Sequence, residues 1–390
     1  MKRAIWGTAV LALALASLAG LALNARLYRD PSSSPEAIVP YLDHLRGQLE
    51  AGAGERMQQL FPEGYFFCYC LYGASWVDLA VAHPEFEARA LAEARWALER
   101  LESDQGRQAF APEQNPPYGV FYVGWSNWLR GGILKLDRGG PEKARFDTDC
   151  QALAEAFAGA PFLEAYPGQA WPCDSTVAVA SLALHDHLYP PRYQTTIASW
   201  LEAIHQQTIE GLLPHQVKPA VAPPRGTSQV MILRFLHDID PEAGGEHYRR
   251  FRQRYLTTRL GLPGVREYPI GQHGPGDVDS GPLVFGFSFS STGVGPGPAR
   301  LYGDRPTERC LGQLIDTFGV AGRGRYLFGV MPVADALLIW SRTAVSWTDH
   351  PPVSEDWPEL VGPHWRWGFH LFWLVPLAVL WWLAWRFRPG

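Results

Sequence analysis

The feature that most constrains this chain is an alternation of two kinds of helical segment between residues 34 and 345. Six segments are apolar and aromatic with little charge: 64–82, 117–136, 174–188, 226–238, 279–302 and 325–342. Five are amphipathic and charged, 85–103, 142–159, 191–209, 244–259 and 305–318, and Pro35 to Leu60 supplies a sixth. From Glu85 to Glu102, for instance, Leu91, Ala94, Leu98 and Leu101 make one apolar stripe among Glu and Arg. A helix apolar all round must be covered on every side, whereas an amphipathic helix covers a neighbour with one face. Six of each predict an all-α fold: an (α/α)6 toroid, an inner ring inside an outer ring, as one domain over 34–345. No Asn-Gly or Asp-Gly pair joins alternating runs, so hairpins are not expected.

Both ends of the chain are apolar. Ala4 to Leu23 carries no charge and follows Lys2 and Arg3, which predicts an N-terminal membrane anchor over 1–25. Ser17-Leu18-Ala19 offers a signal-peptide cleavage site, so the alternative is a removed leader. Trp367 to Trp385, inside the segment 365–386, is apolar except for His370, rich in Trp, and trailed by Arg386 and Arg388. That pattern predicts a second membrane-spanning helix with a cytoplasmic basic flank. A Pro-rich linker, 346–364, leads into it. The simplest topology keeps both tails in the cytoplasm and the toroid on the outer side of the inner membrane. The lipid bilayer is then one partner, and a net charge of -5 gives no footprint for nucleic acid.

In a toroid the loops leading into the inner helices share one rim. Those loops carry Glu164, Asp174, His215, Glu267, Asp277 and Asp279, with Tyr118, Tyr166, Trp171 and Tyr268 in the same loops and Trp125 on an inner helix. Gly276-Asp277-Val278-Asp279-Ser280-Gly281-Pro282 reads as a helix N-terminus ahead of the apolar run Leu283 to Phe289. Either Asp could simply cap that helix. Carboxylates gathered in an aromatic cavity also suit acid–base catalysis, because burial and mutual repulsion drive their pKa values apart. Five cysteines are too sparse and too odd in number for a disulfide framework. Cys173 is the one at a helix N-terminus, where a thiol pKa is lowered. His185-Asp186-His187 does not share a helix face, and the other histidines lack ligand spacing, so no metal or cofactor is expected.

The run Ala160-Pro161-Phe162, then Trp171-Pro172-Cys173-Asp174-Ser175-Thr176-Val177-Ala178, continuing through Leu182 and His185-Asp186-His187-Leu188, resembles the central helix of linalool dehydratase/isomerase. Tyr122-Val123-Gly124-Trp125-Ser126-Asn127, the acidic loop 276–281 and Leu301-Tyr302-Gly303-Asp304 resemble the same family, in order over 115–305. The resemblance implies an (α/α)6 fold with a ligand cavity at the ring centre. It matches Cys173 to one of the family's two active-site cysteines. Glu164 stands where the other would be, and Trp125 where the family has its histidine.

Three functions follow as expectations. The first is cleavage of a glycoside or glycan by paired carboxylates, with Asp279, Asp277, Glu164, Asp174 and Cys173 as catalytic candidates. Tyr118, Trp125, Tyr166, Trp171, His215, Glu267 and Tyr268 would bind the substrate. The second is dehydration or isomerisation of a small apolar alcohol, with Cys173 and Glu164 sharing the proton. The third is ligand binding without catalysis. A long open groove favours the first, a sealed apolar pocket the second, and a filled ring centre a structural role.

Overall fold

The computed structural model describes residues 2–353 and 355–388, and the chain is mostly helical. Its first elements are α1 (Lys2–Arg26), α2 (Pro35–Glu50), α3 (Ala53–Gln58), α4 (Gly64–Ala82) and α5 (Glu87–Leu101). The short α6 (Asp104–Arg107) precedes α7 (Gly119–Leu136), α8 (Lys143–Phe157), α9 (Pro172–Leu188) and α10 (Gln194–Gln206). Next come α11 (Gly226–Ile239), α12 (Pro241–Tyr255) and the strands β1 (Leu256–Arg259), β2 (Leu262–Val265), β3 (Leu283–Val284) and β4 (Phe287–Ser288). The chain closes with α13 (Phe289–Val294), α14 (Pro296–Leu301), α15 (Arg305–Phe318), α16 (Pro332–Thr343) and α17 (Trp367–Arg386).

Packing between these elements is cyclic. Helix α4 packs on α7, α7 on α9, α9 on α11, α11 on α13 and α14, these on α16, and α16 returns to α4. The amphipathic helices cover them from outside: α5 lies on α4 and α7, α8 on α7 and α9, α12 on α11, α15 on α14, and α2 on α16 and α4. Helix α4 shows why hydropathy alone cannot assign a membrane span. It is long and apolar enough to cross a bilayer, yet 83% of its apolar window is buried, whereas 6% is buried in α1 and in α17.

Aromatic side chains fill the space between these helices. Trp128 stacks on Trp347 with centroids 3.8 Å apart, and Trp125 meets Trp128, Phe235 and Trp340 edge-on or tilted at 5.1 to 6.0 Å. Arg234, 1% exposed, lies among them and donates to Asp78 Oδ1 (3.3 Å), Asp238 Oδ2 (3.5 Å) and the Val345 carbonyl (2.9 Å). Trp347 Nε1 (2.7 Å) and Thr343 (3.2 Å) also donate to Asp78. Burial still raises the Asp78 carboxyl to about 7.

Two expectations need correction. The segment 279–302 is not one inner helix, and Asp277 and Asp279 do not cap one. A turn and the β3–β4 hairpin come first, and helix begins at Phe289, capped by Ser288, whose Oγ accepts from Ser291 N at 3.0 Å. Pro296 then interrupts it, since proline has no N–H to donate and suits only a helix's first turn. Likewise 244–259 leaves helix at Tyr255 and becomes β1. Neither hairpin carries the Asn-Gly signal, because their two-residue turns are Leu260-Gly261 and Phe285-Gly286. Their φ values, +51° and +83° and then +54° and +83°, belong to the hairpin turn in which Asn-Gly is usual. A smaller departure is that Pro35 to Leu60 breaks into α2 and α3 at Gly52, which is left-handed at φ +77°.

Gly119 shows how tightly the loop into α7 is held. Its φ is +82°, and a Cβ there would lie 2.3 Å from the Ala165 carbonyl oxygen, so backbone rather than a movable side chain opposes it. Gly119→Ala is expected to destabilise by roughly 2–4 kcal/mol, combining left-handed strain with overpacking. Thermal unfolding followed by circular dichroism would measure it; an unchanged midpoint would mean the loop yields.

Candidate functional site

The rim acids divide into two groups. Asp174 stands in the first turn of α9 and is 7% exposed. Burial, then the charges of Glu63 and Asp279, hold its carboxyl well above the usual carboxylate range. Cys173, one residue earlier, places Sγ 3.8 Å from Asp174 Oδ1. Its thiol is pushed up by burial and by Asp174 and Asp279. The lowering expected from the helix N-terminus is therefore overridden, chiefly because burial disfavours the thiolate.

Asp279 is exposed as a residue, but desolvation of its carboxyl, then the charges of Asp277 and Glu63, raise it to about 6. Arg225 opposes that rise. Asp277 goes the other way despite a burial penalty: hydrogen bonds from Arg225 and Ser280 hold it below its ordinary value. Asp277 and Ser280 clasp each other, with Asp277 N donating to Ser280 Oγ (2.9 Å) and Ser280 N to Asp277 Oδ1 (3.0 Å). The Ser280 carbonyl accepts from Ser290 N (3.2 Å) and Ser288 Oγ (2.9 Å), which pins this turn to the start of α13.

Arg225 joins the acids. Its Nε donates to Glu267 Oε1 at 2.7 Å and its Nη1 to Asp277, while Nη2 is buried with no hydrogen-bond partner among the described residues. Glu267 is fully buried and also receives Thr227 N (3.2 Å) and Ser291 Oγ (3.3 Å), so it anchors the guanidinium and the start of α11. His215 bonds Ser228 through Nδ1 and is lowered to about 4 by burial and by Arg225, which leaves it neutral at pH 7.

Several candidates from the sequence pattern sit elsewhere. Glu164 is tied to Lys218 Nζ (2.8 Å) and Gly168 N (2.9 Å), and these bonds lower its pKa. It is not among the charges that act on Asp174 or Asp279. Trp125 lies in the aromatic filling of the ring, 2% exposed. Tyr268, by contrast, does lie at the site, with the Arg225 guanidinium over its ring at 5.5 Å, and its hydroxyl donates to the Pro275 carbonyl at 2.9 Å. Tyr118 packs on Tyr122 at 5.4 Å, and Trp171 meets Tyr166 edge-on at 6.2 Å. Glu63 is a rim residue that the sequence pattern does not single out. It precedes α4, accepts a hydrogen bond from Tyr166 Oη, and perturbs both Asp174 and Asp279. The rule that selects loops leading into inner helices, applied to Phe61-Pro62-Glu63-Gly64, would find it.

The result is a rim at which one carboxyl is raised well above its ordinary value, another sits near 6, a third is lowered, and one guanidinium nitrogen is left to donate. Such a spread of pKa values is what proton transfer to and from a substrate needs. Against family models and curated proteins, the chain matches none.

Proposed function

We propose that this protein is an (α/α)6 toroid tethered to the inner membrane at both ends, facing outward, that cleaves a glycosidic bond by acid–base catalysis. The observation carrying this reading is the gathering of Asp174, Asp279 and Glu63 at one rim, where burial and the neighbouring acids raise Asp174 well above its ordinary value and Asp279 to about 6. Asp174 donates its proton to the leaving glycosidic oxygen. Asp279, ionised at pH 7, takes a proton from the water that adds to the sugar carbon as the C–O bond breaks. Arg225 Nη2, without a partner among the described residues, is the donor left for a sugar hydroxyl.

Cyclic packing of the inner helices supports the toroid. Antiparallel pairing of α1 with α17 supports two tails on one side: Trp6 Nε1 donates to the Ala384 carbonyl (2.9 Å), and Trp381 Nε1 to Ser17 Oγ (3.0 Å). Arg386 and Arg388 mark that side as cytoplasmic. The tryptophan-filled centre argues against a sealed pocket for a small alcohol and by itself favours a structural role, so the enzyme reading rests on the acids at the rim. The dehydratase reading keeps one specific support, Cys173 beside Asp174.

The test is turnover of a glycan panel by the full-length protein in detergent, with Cys173→Ala alongside. Glycan release that survives Cys173→Ala supports this reading. Loss of activity in Cys173→Ala, with turnover only of alcohols, moves the assignment to the dehydratase class, and ligand binding without turnover to a binding protein.

A further inference from the structure

The membrane helices meet the domain at the end that bears the site. Arg26, the last residue of α1, donates to the Ala321 carbonyl at 3.0 Å, in the loop that leads into α16. At the start of α17, Phe369 packs on Phe318 with centroids 5.4 Å apart. Gly368 abuts the tip of the β1–β2 hairpin so closely that a Cβ would lie 2.3 Å from the Leu260 carbonyl oxygen. That hairpin lies against β4, and β3–β4 hangs from the Asp277–Ser280 turn.

The loop tips at this end are apolar and exposed. Leu260 is 60% exposed, Phe285 65%, Phe328 69% and Val330 72%. Leu260, Phe285 and Phe328 also hold φ of +51°, +54° and +60°, a conformation in which bulky residues are rare and Gly, Asn or Asp are usual. In water each tip would combine backbone strain with an exposed large side chain. Arg259 and Arg323, both exposed, flank them as cations flank an apolar surface that meets lipid phosphates.

We infer that this rim docks on the membrane that α1 and α17 cross, with Leu260, Phe285 and Phe328 inserted at the headgroup boundary. The site thereby opens along the bilayer surface rather than into bulk water. This rests on the reading of α1 and α17 as spanning helices. Continuity decides the occupant: the helices that would span the bilayer leave the domain beside these tips, so a flat apolar phase lies within their reach.

The test uses the full chain in phosphatidylcholine–phosphatidylglycerol vesicles, spin-labelled at one introduced cysteine per variant. Phe285→Cys and Phe328→Cys report the rim, and Val375→Cys, 54% exposed, the middle of α17. Gly139→Cys reports an open position after α7, where a Cβ meets nothing within 4 Å. Labels at 285 and 328 are expected to relax with oxygen and resist a water-soluble nickel chelate severalfold better than the label at 139. If they match 139 while 375 stays lipid-like, the docking proposal is wrong and the spanning reading stands. A water-like 375 sinks the spanning reading and this proposal with it. Labels at 285 and 328 shielded from both reagents would overturn lipid docking in favour of a second copy of the chain.

Discussion

Asp279→Asn is expected to reduce kcat by about 10²–10⁴-fold, the range for loss of a positioned acid or base, while raising stability at neutral pH. The two effects separate because the Asp279 contact is through its backbone: its carbonyl accepts from Ser290 Oγ, a bond Asn keeps. The sign of the pH effect follows from the raised pKa. With a folded value of about 6 against 3.8, the carboxyl favours folding when protonated, and that advantage is lost as pH rises from about 4 through 6. Asn does not ionise, so the variant should match the parent near pH 4 and melt higher above pH 6.5. Asp174→Asn should behave alike, with its gain extending further up in pH because burial and two acidic neighbours raise that carboxyl well above its ordinary value. Melting curves at pH 4 and pH 8, read beside glycan release, check both parts. A variant that keeps activity would remove Asp279 from the chemistry, and one that melts lower at pH 8 would show that the charge is stabilising.

Arg234→Met should be the most damaging single change in the ring. It leaves Asp78 and Asp238 facing each other in the tryptophan-lined interior without their shared cation. Removing one partner of a buried ionic group typically costs about 3–5 kcal/mol. Asp78, already raised to about 7, would then rise further and take up a proton. The deficit should therefore be largest at pH 8 and shrink toward pH 5. Adding Asp78→Asn to Arg234→Met should recover part of the loss at pH 8, since it removes one uncompensated charge. Thermal unfolding of the three proteins at the two pH values decides it; an equal deficit at both would mean that lost packing, not charge, dominates.

The rim illustrates how far pattern reading reaches. Asp174 is visible in the sequence because it opens an uncharged helix, and its placement at the rim follows from helix order alone. Glu164, in the same stretch, is an equal candidate by that argument. What separates them is a contact 54 residues away, Lys218, which the spacing of residues cannot reveal. Glu63 and Tyr166 lie 103 residues apart and meet only because α4 and α9 both begin at this rim.

The mostly helical character, the alternation of covered and covering helices and the two apolar ends can be read from residue order, because helix periodicity and hydropathy are local properties. Which carboxyls come together and which are raised emerges from the packed fold, because desolvation and Coulomb interactions depend on distances the chain order does not encode. The segment 279–302 is a turn, a hairpin and two short helices rather than one helix. There the local cause was already in the chain: Gly286 suits the left-handed turn and Pro296 lacks an N–H, and reading the segment by its apolar character alone passed over both.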